Sequence, residues 1–210
     1  MMPEYVIQKE EVTSKDINQV VKIHRKEINQ GFLSSLGDIA LGLLFSLAAN
    51  SKFGILLIAK DINEDKICGF LLGTTDTGKF YKDFLLKKSL KAMVFLLPKL
   101  FSIDRIRKIF ETLLYPSKEE IQNFPKAELL DIAISLEYQG TGLAQQLFRE
   151  FSKRMLKLGI KNFKITTGES LTKAQRFYES LGAEKVGEVQ VHQGSKTVIY
   201  VYNTEHEKQE

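Results

Sequence analysis

Apolar positions recur with a helical period near the start of the chain and form strand-like runs after it. From Ile17 to Ile28 they lie three and four residues apart, which predicts a helix with His24 on its apolar face. The other elements of this half share short apolar runs bounded by polar turns. They are a strand over 5–9, a mostly buried helix over 34–49 and a strand pair over 53–59 and 66–74.

From residue 127 onward the pattern alternates strands with helices and ends in a hairpin. A largely apolar run, Glu128 to Ile134, is typical of a central strand. The elements after it are a helix over 141–158, a strand over 163–167, a helix over 171–181 and a hairpin over 184–191 and 196–202. This order predicts a single α/β domain over residues 1–202 and a frayed polar tail over 203–210.

A basic segment with a helical pattern, residues 77–125, separates the third and fourth predicted strands. Between Lys79 and Tyr115 there are nine Lys and Arg and three Asp and Glu, a charge of +6, whereas the whole chain carries +4. We interpret the segment as an insertion. Three roles stay open: a lid over the substrate site, which we favour, a homodimer surface, or a peripheral contact with anionic lipid or sugar phosphate. No nucleic-acid-binding motif accompanies the charge, so no nucleic-acid partner is expected.

The composition narrows the class of protein. With 43% hydrophobic and 27% charged residues, the chain is neither disordered nor fibrous. The single cysteine, Cys68, excludes a disulfide framework and a cysteine-based zinc site. The longest uncharged apolar run, residues 39–49, is too short for a transmembrane segment, and the start has no secretory-signal pattern. We therefore expect a cytoplasmic protein that uses no metal.

The segment most informative about chemistry follows the predicted strand that ends at Ile134. There, Gln139-Gly140-Thr141-Gly142 forms a glycine-bearing turn that opens a helix. Glycines let a backbone approach a ligand closely, and the free amides of a helix start favour phosphate. Gln145 stands where a dinucleotide-binding motif needs its third glycine, and no Gly-Lys-Ser/Thr follows as in a P-loop. A plain strand-to-helix turn is the alternative on spacing alone.

Two motifs in this part of the chain resemble those of the GNAT superfamily of acetyl-coenzyme A-dependent N-acetyltransferases. Residues 139–144 fit the family's Gln/Arg-x-x-Gly-x-Gly/Ala turn at every fixed position. Residues 171–183 resemble its second motif, Asn-x-x-Ala-x-x-Phe-Tyr-x-x-x-Gly-Phe. They match its Ala, Phe, Tyr and Gly and depart from it at Leu171 and Ala183. The resemblance covers residues 127–202.

The resemblance implies a mixed, mostly antiparallel central sheet flanked by helices, and transfer of an acetyl group from acetyl-coenzyme A to a primary amine. We expect the acceptor to be a small molecule such as an amino sugar. The alternatives are a protein or peptide acceptor, or a catalytically silent module that binds acyl-coenzyme A. The implied cofactor-binding residues are Ile132, Ala133, Ile134, Gln139, Gly140, Thr141, Gly142, Leu143, Ala144, Gln145, Ala174 and Phe177.

The resemblance also implies roles for individual side chains. Tyr178 is the expected general acid, which gives a proton to the leaving thiolate. Glu128 is the expected general base; strand alternation puts it on the face of Leu130 and Ile132 and leaves Asp131, a less favoured base, on the opposite face. Weaker candidates for contact with the acceptor are His24 and Phe32.

Overall fold

The computed structural model describes residues 5–8, 12–28, 32–35, 37–86, 124–192 and 195–208, over which we number the elements in chain order. The strands are β1 (Tyr5–Gln8), β2 (Gly54–Asp61), β3 (Lys66–Thr74), β4 (Glu128–Ile134), β5 (Asn162–Gly168), β6 (Glu184–His192) and β7 (Ser195–Asn203). The helices are α1 (Ser14–Glu27), α2 (Phe32–Ser35), α3 (Asp38–Asn50), α4 (Thr77–Leu86), α5 (Leu143–Lys157) and α6 (Thr172–Ser180). Short 3₁₀ helices span Leu136–Tyr138 and Thr204–Lys208. None of the helices described is long and apolar enough to cross a membrane.

The seven strands form one sheet in the order β1-β2-β3-β4-β5-β7-β6. Every neighbouring pair is antiparallel except β4 and β5, which are parallel. That parallel pairing holds only where Glu128 meets Lys164 and Leu129 meets Ile165. Beyond it, residues 130–134 of β4 are no longer paired with residues 166–168 of β5. We call this opening the β4–β5 gap.

A β-bulge in β4 changes which side chains share a face. Asp131 pairs with Leu72 of β3 and Leu129 pairs with Gly73, so Leu130 is an extra residue in β4. Leu130 packs with the core under α1 and α3, Asp131 lies against His24 of α1, and Ile132 packs on the opposite side. Our prediction that Asp131 faces away from Glu128 is therefore wrong, because the bulge interrupts the alternation.

Two hydrophobic cores cover the two faces of the sheet. One lies under α5 and α6 and includes Phe148, Phe151 and Phe163. The other lies under α1, α3 and α4 and includes Phe45 and Phe70. The predicted mixed sheet with flanking helices is confirmed.

Two predicted segments differ in the structure. The helix expected over 34–49 is divided in two, because Gly37 takes an extended conformation and begins α3. The predicted tail contains a 3₁₀ helix, Thr204–Lys208: Thr204 is fully buried and its hydroxyl lies 2.9 Å from the carbonyl oxygen of Ile160 and 3.0 Å from that of Lys161. The basic segment begins as helix α4, whereas its residues 87–123 lie outside the described residues.

Candidate active site

The glycine turn leads from β4 into α5 and leaves open space beside its backbone. Gly140 and Gly142 have φ of +77° and +85°, a left-handed conformation that glycine adopts without strain. A Cβ at Gly140 would meet no atom within 4 Å, and one at Gly142 would meet only the end of the Gln145 side chain at 3.8 Å. No side chain caps α5 at Gly142, so the first amides of the helix are available to an anion.

Hydrogen bonds of Tyr138 and Gln139 attach this turn to neighbouring elements. The Tyr138 hydroxyl donates to Asp61 Oδ2 over 2.7 Å, and both side chains are buried. That hydrogen bond lowers the pKa of Asp61 below its usual range. Gln139 Nε2 donates over 3.0 Å to the Ile134 carbonyl and over 3.0 Å to Glu27 Oε2 of α1. The turn is thus attached to the strand before it and to the last turn of α1.

The end of β4 borders the gap with backbone that has no partner in β5. Ala133 and Ile134 are buried and Ile132 is partly buried. Their pairing with β3 uses only one edge of the strand. The other edge can therefore pair with an extended ligand, as an added strand would.

The remaining predicted cofactor residues lie on α5 and α6 around the same opening. The Leu143 side chain is buried in the core, so its contribution to a ligand is its backbone amide. Ala144, Ala174 and Phe177 are partly buried against that core, whereas Thr141 and Gln145 are exposed.

Tyr178 is more buried than the sequence pattern indicates. Only 6% of it is exposed, and its ring lies 5.4 Å from that of Phe177 and 6.4 Å from that of Phe148. Within the described residues its hydroxyl forms no hydrogen bond. Burial, and secondarily the charge of Asp131, raise the pKa of Tyr178 well above its usual value. The phenol therefore holds its proton at neutral pH and lies close enough to β4 to feel the Asp131 carboxylate.

Glu128 ties three elements together. Its Oε2 accepts from the Thr77 hydroxyl of α4 at 2.9 Å, and its Oε1 accepts from the Thr166 hydroxyl of β5 at 2.8 Å. Lys164 Nζ lies 3.5 Å from Oε2. Both oxygens of this buried carboxylate are thus engaged, and a role of Glu128 as general base stays a prediction.

Asp131 and His24 form a buried pair that our reading of the sequence did not join. His24 Nε2 lies 3.2 Å from Asp131 Oδ2, and the two residues are 0% and 8% exposed. Neither atom has a hydrogen-bond partner of good geometry among the described residues. Burial raises the pKa of Asp131 to about 8. Burial, with the charge of Arg25, lowers the pKa of His24 to about 4. The site favours the uncharged form of each group.

Tyr81 of α4 is a further member of the site that the sequence did not indicate. It is buried, and burial and the charges of Glu128 and Asp131 raise its pKa above the usual range. It lies in the basic segment, where no motif marks it. Side chains from α1, α4, β4 and α6 therefore converge beside the β4–β5 gap.

Phe32, the other predicted acceptor contact, begins α2. That short helix is tied to the end of α1, since Ser34 Oγ donates to the Ile28 carbonyl at 3.1 Å and Arg25 donates to the Ser34 carbonyl at 2.8 Å. The two acceptor candidates thus lie on connected elements. Among the described residues, no group of three or more His, Cys, Asp or Glu side chains could hold a metal ion.

Comparison with known proteins agrees with this geometry. Residues 120–203, the part that carries both motifs, match the family model described as an acetyltransferase (GNAT) domain. This part of the chain is therefore similar to the GNAT acetyltransferases, a class whose activity is acyl transfer. A comparison with curated protein sequences gave no match.

Solved structures share the fold at low sequence identity. The protein named SsHAT is 19% identical, with a TM-score of 0.68 over 96% of this chain and 99% of that one. The ribosomal-protein-S18-alanine N-acetyltransferase of Escherichia coli is 14% identical, with a TM-score of 0.57 over 96% and 94%. Ard1 of Thermoplasma volcanium is 13% identical, with a TM-score of 0.58 over 95% and 97%. At these identities the likeness is one of fold, and it does not assign an acceptor.

Proposed function

We propose that this chain transfers an acetyl group from acetyl-coenzyme A to a primary amine. The observation that carries the proposal is the open glycine turn at the start of α5, which adjoins the unpaired edge of β4. A phosphate-bearing, extended ligand fits this combination, because amides of the turn can hold phosphate while the strand edge pairs with the ligand's own amides. Tyr178 and two buried carboxylates lie next to the same edge.

Different residues around the opening bind different parts of acetyl-coenzyme A. Backbone amides from Gly140 to Gln145 hold the pyrophosphate, the edge at Ile132 to Ile134 pairs with the pantetheine arm, and Ala174 and Phe177 pack beside it. Acetyl-coenzyme A supplies an activated acyl carbon and a thiolate leaving group. The Gly140 and Gly142 positions fit it because a side chain at either would occupy the space that phosphate needs.

Tyr178 acts as the general acid. Its phenol donates a proton to the leaving thiolate, and its apolar surroundings keep it protonated until then. Burial raises the pKa of a thiol as it does that of a phenol, so the two groups stay matched inside the site. The acceptor amine loses a proton to a carboxylate of β4, for which Glu128 and Asp131 are the two candidates.

The acceptor approaches from the side of α1, α2 and α4, where His24 and Phe32 lie. A small molecule such as an amino sugar is our first candidate. A protein or peptide amine is the second, because the name of the Escherichia coli neighbour gives an alanine of a ribosomal protein as acceptor. We place the protein in the cytoplasm, in keeping with its single, buried cysteine.

Calorimetric titration with coenzyme A tests the cofactor site. Gly142→Val should abolish binding, because it adds strain and a branched side chain where phosphate lies. Gly159→Val is the matched control: Gly159 has φ of +75° and an equally open Cβ position, but it lies at the other end of α5. It should be destabilised to a similar degree yet bind coenzyme A normally. Normal binding by a folded Gly142→Val protein would overturn the assignment.

Release of free thiol from acetyl-coenzyme A across an amine panel tests the reaction. Amino sugars, other small amines and peptides with free N-termini or lysines separate the two acceptor classes. Coenzyme A binding without transfer to any amine would favour the catalytically silent module.

A further inference from the structure

The two carboxylates beside the gap differ in how far they are already engaged. Glu128 has a hydroxyl donor on each oxygen and an ammonium group 3.5 Å away. Asp131 Oδ2 lies 3.2 Å from His24 Nε2, and neither Oδ2 nor His24 Nδ1 has a hydrogen-bond partner among the described residues. The one further donor that acts on the Asp131 carboxylate in this part of the structure is the backbone amide of Ile132. A carboxylate that accepts a proton needs a lone pair that stronger donors do not occupy, which Asp131 has.

The surroundings of Asp131 combine aromatic rings with side chains that can ionise. His24 of α1 packs against the rings of Phe45 and Phe70, whose centroids lie 6.0 and 6.5 Å from its own. Arg25 on α1 acts electrostatically on His24, and the Asp131 charge acts on Tyr81 of α4 and Tyr178 of α6. Glu128 of β4 acts on Tyr81 as well. Arg25 is itself paired with Asp38, over 2.6 Å. The pair is thus enclosed on the α1 side and has a phenol on each of two helices.

We propose that Asp131 takes the proton from the acceptor amine, and that His24 is a positioning residue that holds the Asp131 carboxylate through Nε2. The proposal rests on the proposed acetyl transfer and chooses between the two carboxylates that it leaves open. The proposal also assigns a role to the bulge at Leu130, because the extra residue turns Asp131 toward α1.

The protons balance over one turnover. The amine nitrogen forms a bond to the acetyl carbon and gives up a proton to Asp131. The carbon–sulfur bond breaks, and the sulfur receives the proton of the Tyr178 hydroxyl. Asp131, now protonated, releases its proton to solvent, and the Tyr178 phenolate takes one proton from solvent. The products are an acetylated amine and a free thiol, and both side chains regain their starting states.

The burial of the pair suits this role. A general base is most useful when its pKa lies near the working pH, and burial raises the pKa of Asp131 to about 8. His24 stays neutral because burial lowers its pKa to about 4. A neutral imidazole can accept from protonated Asp131 at Nε2 and, in its other tautomer, donate to the ionised form.

Nuclear magnetic resonance of the ring nitrogens tests the pair without any acetyl transfer. The chain has three histidines, so the ring signals of His24 are assigned by their absence from His24→Phe. We expect His24 to stay neutral between pH 5 and 9 and to change tautomer near pH 8, as Asp131 ionises. Asp131→Asn should remove that change. A His24 that becomes charged between pH 5 and 9, or a tautomer change that survives in Asp131→Asn, would overturn the pairing.

Single-turnover acetyl transfer tests the base. Asp131→Asn should slow transfer by about 10²-fold or more with coenzyme A affinity kept within a few-fold. His24→Phe should slow it by about 10-fold and shift the pH profile, and His24→Gln, which retains a donor, should restore part of the rate. Asp16→Asn is the control: it removes a carboxylate of similar burial, in the capping box of α1, and should leave the pH profile unchanged.

The outcomes separate this proposal from the proposed function. Near-normal transfer by Asp131→Asn, or a pH profile that moves only in Glu128→Gln, overturns the base assignment and leaves acetyl transfer standing. A wild-type chain that binds coenzyme A but acetylates no amine overturns the proposed function, and the base role with it. The resonance experiment then still reports whether the pair exists.

Discussion

The two sides of the β4–β5 gap are built in different ways. On the α5 and α6 side, the groups offered to a ligand are mainly backbone amides of one contiguous turn, residues 139–145, and the edge of one strand. On the α1 and α4 side, the groups near the gap are buried side chains from distant positions in the chain, such as His24, Tyr81 and Asp131. Under the proposed function the first side binds coenzyme A, whereas the second side meets the acceptor, which can vary within one fold.

Tyr178 is proposed to act where these two sides meet, so its substitution should have the largest effect. Tyr178→Phe keeps the buried ring and removes only the hydroxyl, which forms no hydrogen bond within the described residues. We expect coenzyme A affinity and stability to change little and the single-turnover rate to fall by about 10²- to 10⁴-fold. A single turnover is the proper measurement because product release can hide the chemical step. A wild-type rate with normal cofactor binding would return Tyr178 to a packing role.

The difference between the two sides also explains what the sequence could predict. The turn could be predicted because its glycines and the helix after it are contiguous, and the backbone itself provides the site. The side chain pairings could not. The bulge at Leu130 depends on how β3 pairs with β4, so the face of Asp131 does not follow from alternation. Tyr81 lies in a basic helix without a motif.

The tail shows the same limit of sequence reasoning. Its polar composition predicted fraying, but the Thr204 hydroxyl lies against two backbone carbonyls of the α5–β5 connection and is fully buried. Polar residues can therefore end a domain in an ordered way when long-range backbone partners are present. These partners are distant in sequence, so a short stretch of sequence does not reveal them.

If the acceptor side depends on side chains, replacing one buried carboxylate there should lower the free energy of unfolding. Glu128→Gln replaces an oxygen that accepts from a hydroxyl with an amide that cannot accept, in a buried site between α4, β4 and β5. We expect a loss of about 2 kcal/mol in the free energy of unfolding, measured by urea denaturation. Glu64→Gln, at an exposed turn position, is the control and should change it by less than about 0.5 kcal/mol. Equal losses in the two variants would contradict this.

The buried pair of Asp131 and His24 should also change how the stability of the protein depends on pH. Asp131 has a raised pKa, so folding favours its protonated form and stability falls as pH rises toward about 8. His24 has a lowered pKa, so its contribution has the opposite slope between about 4 and 6.5. The two slopes cancel over that range and leave a net fall between pH 6.5 and 8.

Denaturation of the wild-type chain and of Asp131→Asn at several pH values measures that fall. The wild type should lose roughly 1–2 kcal/mol more than the variant between pH 6.5 and 8. Below pH 6.5 the variant alone should become less stable as pH drops, because it keeps only the His24 contribution. Parallel curves would show that Asp131 does not change its protonation in this range.

The smallest effect we expect is on the cofactor side, where a side chain only supports the backbone. Tyr138→Phe removes the hydroxyl that donates to Asp61 over 2.7 Å and leaves the ring in the core. Asp61 keeps two acceptor contacts, from the amides of Asn63 and Glu64 at 2.8 and 3.1 Å, so the turn between β2 and β3 should hold. One buried hydrogen bond contributes about 1 kcal/mol, and part of it acts on the adjacent glycine turn. Coenzyme A affinity should therefore weaken by only about two- to five-fold in a calorimetric titration. A loss as large as that of Gly142→Val would mean that the amides of the turn depend on this anchor, and that the two sides of the gap differ less than their construction indicates.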